Sequence, residues 1–235
     1  MRELRLAARA LRRQPGFTAV AIVTLALGIG ATTAIFTVVD TVLLRPLPFP
    51  DAGRIMVLRE RAPNFPNPIS LSVLNYPDLR EQSSKMGRVG AFRNLTMILT
   101  GGGEPVRLDA KMLSADVFDT LRVSPALGRA FGADDDKAGA PPVAIVSDYL
   151  WKSRFGGAPD VLGRALQLDG RPVVIVGVMP PSFRLFQPAD VYVPLWPWLS
   201  QQPRDRTWHP GLLGLTRLEQ ETSCLLYTSP SPRDS

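Results

Sequence analysis

From Gln14 to Val39 the chain carries no charged side chain, and Phe17 to Val39 is an uncharged run of 23 mostly apolar residues. At about 1.5 Å of rise per residue such a run spans roughly 35 Å as a helix, against a bilayer hydrocarbon core of about 30 Å. The first element is therefore expected to be a membrane-spanning helix. A cleaved secretory signal also starts with basic residues, but its apolar stretch is about 7–15 residues long and ends at small residues. Here the small-residue site, Gly30-Ala31-Thr32-Thr33-Ala34, lies inside the run, so the reading is an uncleaved anchor. Arg2, Arg5, Arg9, Arg12 and Arg13 precede the run against a single Glu3, which predicts a cytoplasmic N-terminus and an exported chain after Asp40.

The same arginines account for most of the formal charge of +6. The rest of the chain is nearly neutral and offers no basic stripe, so nucleic-acid binding is excluded as a function. In residues 1–16, Leu4, Ala7, Ala8 and Leu11 recur at helical spacing opposite Arg2, Arg5, Arg9 and Arg12. This arm is expected to lie on the inner membrane surface against lipid until Pro15-Gly16 turns the chain into the bilayer. Within the span, Ala26, Gly30 and Ala34 repeat every fourth residue, a spacing that lets a second helix approach closely.

The exported part has about 175 residues, enough for one or two small cores. Its single cysteine, Cys224, rules out a disulfide framework. Strands are expected at 54–59, 95–99, 106–112, 143–146, 165–168, 172–178, 191–193 and 212–218. Helices are expected at 75–82 with Asn75 as N-cap, at 114–121 capped by Ser114, and after Ser147-Asp148. Asp169-Gly170 is a two-residue hairpin signal. The fold class is α+β, with the helices concentrated early and the strands late.

No chemistry stands out. Gly101-Gly102-Gly103 lacks the Lys-Ser/Thr of a phosphate loop and reads as a hairpin turn. Asp134-Asp135-Asp136 lacks calcium-loop spacing and reads as a solvated loop. The lone His209 has no second ligand at metal spacing and no G-x-S-x-G accompanies it. Trp196, Trp198 and Trp208 form a ligand-binding aromatic cluster or, preferably, pack a Pro-rich loop. The expectation is no catalytic, cofactor-binding or metal residues, no cofactor and no enzyme activity.

Several blocks carry a resemblance. Leu27-Gly-Ile-Gly-Ala-Thr-Thr-Ala-Ile-Phe36 and Leu43-Leu-Arg-Pro-Leu-Pro-Phe-Pro-Asp51 resemble the first membrane helix and its exit in permease subunits of the MacB/FtsX type of ABC transporter. Gly103–Leu108 with Val117-Phe118, Pro125–Phe131, Trp151–Gly156, Leu168–Pro180 and Ala189–Leu195 are similar, in order, to blocks of that family's periplasmic core domain. The exit motif is most similar to large permeases that repeat this unit twice. The resemblance implies a porter-like β-α-β subdomain interrupted by a strand-rich insertion at about 125–195. It also implies a separate cytoplasmic ABC ATPase subunit whose motion the membrane helices transmit to the periplasmic domain, so that substrate need not cross the bilayer. Implied partners are that ATPase, a second permease copy or the remaining permease helices, and a periplasmic adaptor.

The resulting layout is a cytoplasmic arm at 1–16, a transmembrane helix at 17–44, a periplasmic core domain at 45–220 and a tail at 221–235. Family permeases continue into three more membrane helices, whereas Cys224 onward resembles a reading frame running into sequencing adapter and is read as non-native. The alternative to a permease fragment is a membrane-anchored extracytoplasmic module that binds a ligand or partner, or an anchored hydrolase.

Overall fold

The computed structural model describes residues 13–39, 49–62, 65–83, 87–203 and 205–218, with side chains for all of these but 38 and 39. The amphipathic arm up to Arg12, any continuation of the apolar helix to 44, and the tail lie outside the described residues. The helix α1 runs Pro15–Val39. It starts at Pro15, after a break at Gln14, because proline's fixed φ and missing N–H suit the first helical position. Its large apolar side chains point outward, Phe17 at 68% exposure and Leu27 at 69%, and none of the span is buried within the protein. Thr24 and Thr32 donate their hydroxyls back to the carbonyls of Val20 and Gly28, which satisfies both hydroxyl hydrogens without water.

The second unit is built from β1 (Ile55–Leu58), α2 (Asn75–Gln82), β2 (Val89–Thr100), β3 (Val106–Leu113), α3 (Asp116–Leu121), β4 (Leu127–Gly128), β5 (Val143–Val146), α4 (Asp148–Phe155), β6 (Ala165–Leu168), β7 (Arg171–Val178), β8 (Val191–Pro194), α5 (Trp196–Leu199) and β9 (Leu213–Arg217). Eight strands pair in the order β1-β9-β2-β3-β8-β5-β7-β4, and β6 pairs with both β2 and β7. That double pairing closes β2-β3-β8-β5-β7-β6 into a six-stranded barrel. The closing seam is short, Leu99 opposite Leu168 and Thr100 opposite Gln167.

Strand β2 belongs to two structures at once. Val89–Phe92 pairs with β9, and Phe92–Leu99 pairs with β3. The first half joins β1, α2, α3 and β9 in a porter-like β-α-β part, and the second half becomes a barrel stave. The strand-rich insertion is thus not a separate lobe, because it borrows β2 and β3 to close.

Two apolar clusters result from this sharing. Leu99, Leu108, Leu166, Ile175 and Val191 fill one, and Phe92, Leu113, Val117, Phe118 and Tyr192 fill the other. β5 lies between them: Ala144 and Val146 face the first, Val143 and Ile145 the second. All four are buried, which is why this strand reads as a continuous apolar run. Helix α3 lies so close on β2 that a Cβ at Gly90 would stand 2.9 Å from the Val117 Cα.

Several sequence expectations hold. β5 and β6 match their expected bounds, and Asp169 and Gly170 take φ of 50° and 74°, as a tight hairpin between β6 and β7 requires. Ser147 caps α4 by accepting from Leu150 N–H at 3.0 Å. Two other caps are different. Ser114 is fully buried and its Oγ accepts from Ala91 N–H at 2.9 Å, so it ties α3 to β2 instead of capping. Asn75 lies inside α2, whose first N–H is capped by Ser72 Oγ at 3.2 Å. The strand expected at 95–99 begins at Val89, because Val89 to Phe92 are all buried and show no alternation.

Candidate functional site

Gly101–Gly103 lies between β2 and β3 and is held by Arg154, whose Nη2 donates to the Gly102 carbonyl at 3.0 Å. It is a turn, as expected. His209 joins two loops: Nε2 lies 2.8 Å from Glu60 Oε2 and Nδ1 lies 2.9 Å from the Thr207 carbonyl oxygen. Glu60 also accepts from Ser72 N–H at 3.1 Å and from the Asn75 amide. Trp198 and Trp208 meet at 6.0 Å, and the Arg93 guanidinium covers the Trp198 ring at 4.6 Å. Arg93 Nε in turn donates to the Pro210 carbonyl at 2.7 Å, so the aromatic face is filled by the protein itself. Among the described residues no group of three His, Cys, Asp or Glu is placed to hold a metal ion.

The aspartate run departs from its expected solvated loop. Asp134 is exposed and pairs with Lys137 at 2.8 Å. Asp135 is buried against Arg129 at 2.5 and 2.9 Å and accepts from Gly132 N–H at 2.8 Å. The Arg129 hydrogen bonds hold its carboxyl below the usual carboxylate range. Asp136 is also buried, and its two oxygens accept from Ala115 N–H at 2.8 Å and Trp196 N–H at 2.6 Å. Ala115 immediately precedes α3 and Trp196 opens α5, so one carboxylate ties the β-α-β part to the end of β8 in the barrel.

Around Asp136 the junction is polar and buried. Arg80 of α2 pairs with Asp116 of α3 at 2.7 Å, and Tyr76 packs edge-on against Trp196 with centroids 6.4 Å apart. The Tyr76 hydroxyl is buried beside the Ser114 side chain. Burial pushes both the Tyr76 hydroxyl and the Asp136 carboxyl up. This arrangement has no nucleophile beside a base and no convergent donors for an oxyanion. It is a hydrogen-bonded joint between two packed parts. No sequence signal separates Asp136 from its two neighbours, because its burial depends on N–H groups that lie 21 and 60 residues away in the chain.

A second convergence lies where the chain enters and leaves the domain. Ile55 pairs with Arg217, and Leu218 N–H donates to the Arg54 carbonyl at 3.0 Å. Arg217 Nη1 donates to the Pro50 carbonyl at 2.7 Å and Nε to the Thr120 carbonyl at 2.8 Å. Arg122 reaches Asp51 at 3.3 Å, and Arg54 donates to the Leu218 carbonyl.

The sequence profile of the MacB-like periplasmic core domain matches residues 18–221. The periplasmic region of MacB from Actinobacillus actinomycetemcomitans superposes with a TM-score of 0.54 at 15% identity, over 74% of this chain and 78% of that one. The extracellular domain of the noncanonic ABC-type transporter YknZ from Gram-positive bacteria superposes with a TM-score of 0.51 at 16% identity, over 71% of this chain and 84% of that one. At these identities the likeness is one of fold. No curated protein matches the chain in sequence.

Proposed function

The chain belongs to the family of MacB-like periplasmic core domains, and from that premise we propose that it is the front part of a permease subunit that passes ATPase-driven motion to an extracytoplasmic domain. The observation that carries the reading is the extent of the match, which starts inside the apolar helix at residue 18 and runs through the domain to 221. Helix and domain are then one transmitting unit. Residues 1–16 form the cytoplasmic arm on membrane lipid, 17–44 the span, 45–220 the periplasmic core and 221–235 a non-native tail. The Arg-rich start supports a cytoplasmic N-terminus in the inner membrane. A separate ABC ATPase supplies the energy, further permease helices or a second copy pack on the span, and a periplasmic adaptor receives the motion. The chain itself does no catalysis.

Orientation is tested by alkaline phosphatase fused before Arg2 and after Ile55. Activity is expected only after Ile55, and the reverse pattern refutes the topology. Transmission is tested in the complete permease assembled with its ATPase, with an environment-sensitive fluorophore on Tyr149→Cys, since Tyr149 is 72% exposed on α4. ATP is expected to change its signal only when the ATPase is present. Saturable, magnesium-dependent ATP binding by this chain alone overturns the reading.

A further inference from the structure

We infer that His209 and Glu60 form a proton-operated latch, closed by the charged imidazole ring and released when the ring loses a proton, that holds the loop carrying Trp208. Both ring nitrogens face oxygens: Nε2 lies 2.8 Å from Glu60 Oε2, and Nδ1 lies 2.9 Å from the Thr207 carbonyl oxygen. A backbone carbonyl only accepts. Glu60 Oε1 accepts from Ser72 N–H at 3.1 Å and from the Asn75 amide, which leaves Oε2 as the acceptor for the ring. Two acceptors require two N–H groups, and only the charged ring has both. A neutral ring has one N–H, so one of the two contacts becomes lone pair against lone pair and opens. The pair is mostly sheltered, with 21% of the His209 side chain and 17% of the Glu60 side chain exposed, which makes a charged hydrogen bond stronger than it is in water.

The charged groups around the latch are guanidiniums and carboxylates, whereas imidazole is the side chain that ordinarily changes charge between about pH 5 and 8. Arg206 pairs with Asp78 of α2 at 2.6 Å and donates to the Asn75 side-chain oxygen. Asp205 accepts from Thr207 N–H at 2.7 Å and from the Thr207 hydroxyl at 2.8 Å, and these bonds hold its carboxyl below the usual range. Arg93 donates to the Pro210 carbonyl at 2.7 Å, and Arg59 and Arg61 are exposed on either side of Glu60 in the chain. Residues 207–209 therefore lie between two pins, Arg206 and the Pro210 carbonyl, and the imidazole supplies the switchable bond between them. Trp208 stands in that stretch and meets Trp198 at 6.0 Å. The loop is thus tight in acid and looser toward alkaline pH. His209 is the only histidine in the sequence, so no second imidazole can supply the same transition.

The test is backbone hydrogen exchange of the full chain in detergent, from about pH 5.5 to about 8.5, across the range in which imidazole ordinarily titrates. Peptides covering 205–212 are read by mass spectrometry, with each rate divided by the intrinsic rate at that pH. Opening of the loop is expected to rise about tenfold toward the alkaline end, the effect of losing one charge-assisted hydrogen bond. Glu60→Gln keeps an oxygen for Ser72 and Asn75 and turns an NH₂ toward the ring, so it favours the neutral ring over the charged one. In that variant the pH dependence is expected to flatten or reverse, which a merely structural role for Glu60 does not produce. Nitrogen-15 histidine labelling, which marks one residue, reads the ring directly and needs no variant to fold: two N–H nitrogens are expected in the tight state and one in the loose state. A loop whose corrected exchange does not rise with pH overturns the latch, as does a Glu60→Gln chain that loosens toward alkaline pH as the wild type does. A ring already neutral at about pH 5.5, or still doubly protonated at about pH 8.5, overturns it too.

Discussion

Asp136→Ala removes one side chain and strands two backbone N–H groups, those of Ala115 and Trp196, now bonded at 2.8 and 2.6 Å. Each buried donor left unsatisfied costs about 1–3 kcal/mol. Part of that is offset because the carboxylate no longer has to be desolvated, a cost visible in its raised pKa. The net is about 3 kcal/mol, which for a domain of this size lowers Tm by roughly 6–12 °C. Asp136→Asn keeps one acceptor oxygen and should lose about half as much. The assay is thermal unfolding of the full chain in detergent, followed by near-ultraviolet circular dichroism, to which the tryptophans beside the joint contribute. Because burial raises the folded-state pKa of Asp136 above its ordinary 3.8, its contribution is complete below that value and is lost as pH rises through the folded value. The gap between the wild-type chain and Asp136→Asn should therefore widen as the pH falls from 7 toward 4. An Asp136→Ala chain within about 2 °C of wild type would refute the joint, since such a shift is under about 1 kcal/mol.

Asp135 should behave in the opposite way to its neighbour. Its pKa is lowered by Arg129, so its contribution is present above pH 3.8 and disappears as pH falls, and the Tm deficit of Asp135→Asn should shrink in acid. Gly90→Ala forces a Cβ to 2.9 Å from Val117 Cα, a backbone atom that cannot turn aside, and should cost about 1–3 kcal/mol in the same melts. Gly30→Leu places a branched side chain on the Ala26-Gly30-Ala34 face. In the complete permease it should reduce co-purification of partner helices in mild detergent, whereas Leu27→Val should not.

The elements legible in the sequence are those whose information is local. The apolar run of α1, the Asp169-Gly170 hairpin and the buried run Val143–Val146 each announce themselves within a few residues. The start of β2 is hidden because Val89-Gly90-Ala91-Phe92 is buried on both faces and so has neither strand alternation nor helical period. Ser114 has the type and position of a helix cap, but the Ala91 N–H offered by β2 competes for its hydroxyl and wins. Asp136 reads as one of three loop acids until the folded chain brings Ala115 and Trp196 to it. Barrel closure rests on two residue pairs between β2 and β6, which no pattern within either strand specifies. The arginine cluster at the entry and exit of the domain is equally invisible in the sequence. Arg54, Arg122 and Arg217 are far apart along the chain and meet only because β1 pairs with β9.

That pairing sets how the domain can be pulled. β1 and β9 run antiparallel, and the incoming and outgoing segments attach at the same end of the ladder, beside Ile55 and Arg217. A force drawing the two leads apart loads the Leu218–Arg54 hydrogen bond first, then the Ile55–Arg217 pair, then Met56–Thr216, and so opens the ladder like a zipper, one rung at a time. The same force applied to both leads in one direction strains no rung at all. The strand pair is then stiff to a common pull and weak to a divergent one, so in the proposed permease the helices attached to the two leads would have to tilt together for a stroke to reach the far end of the domain intact.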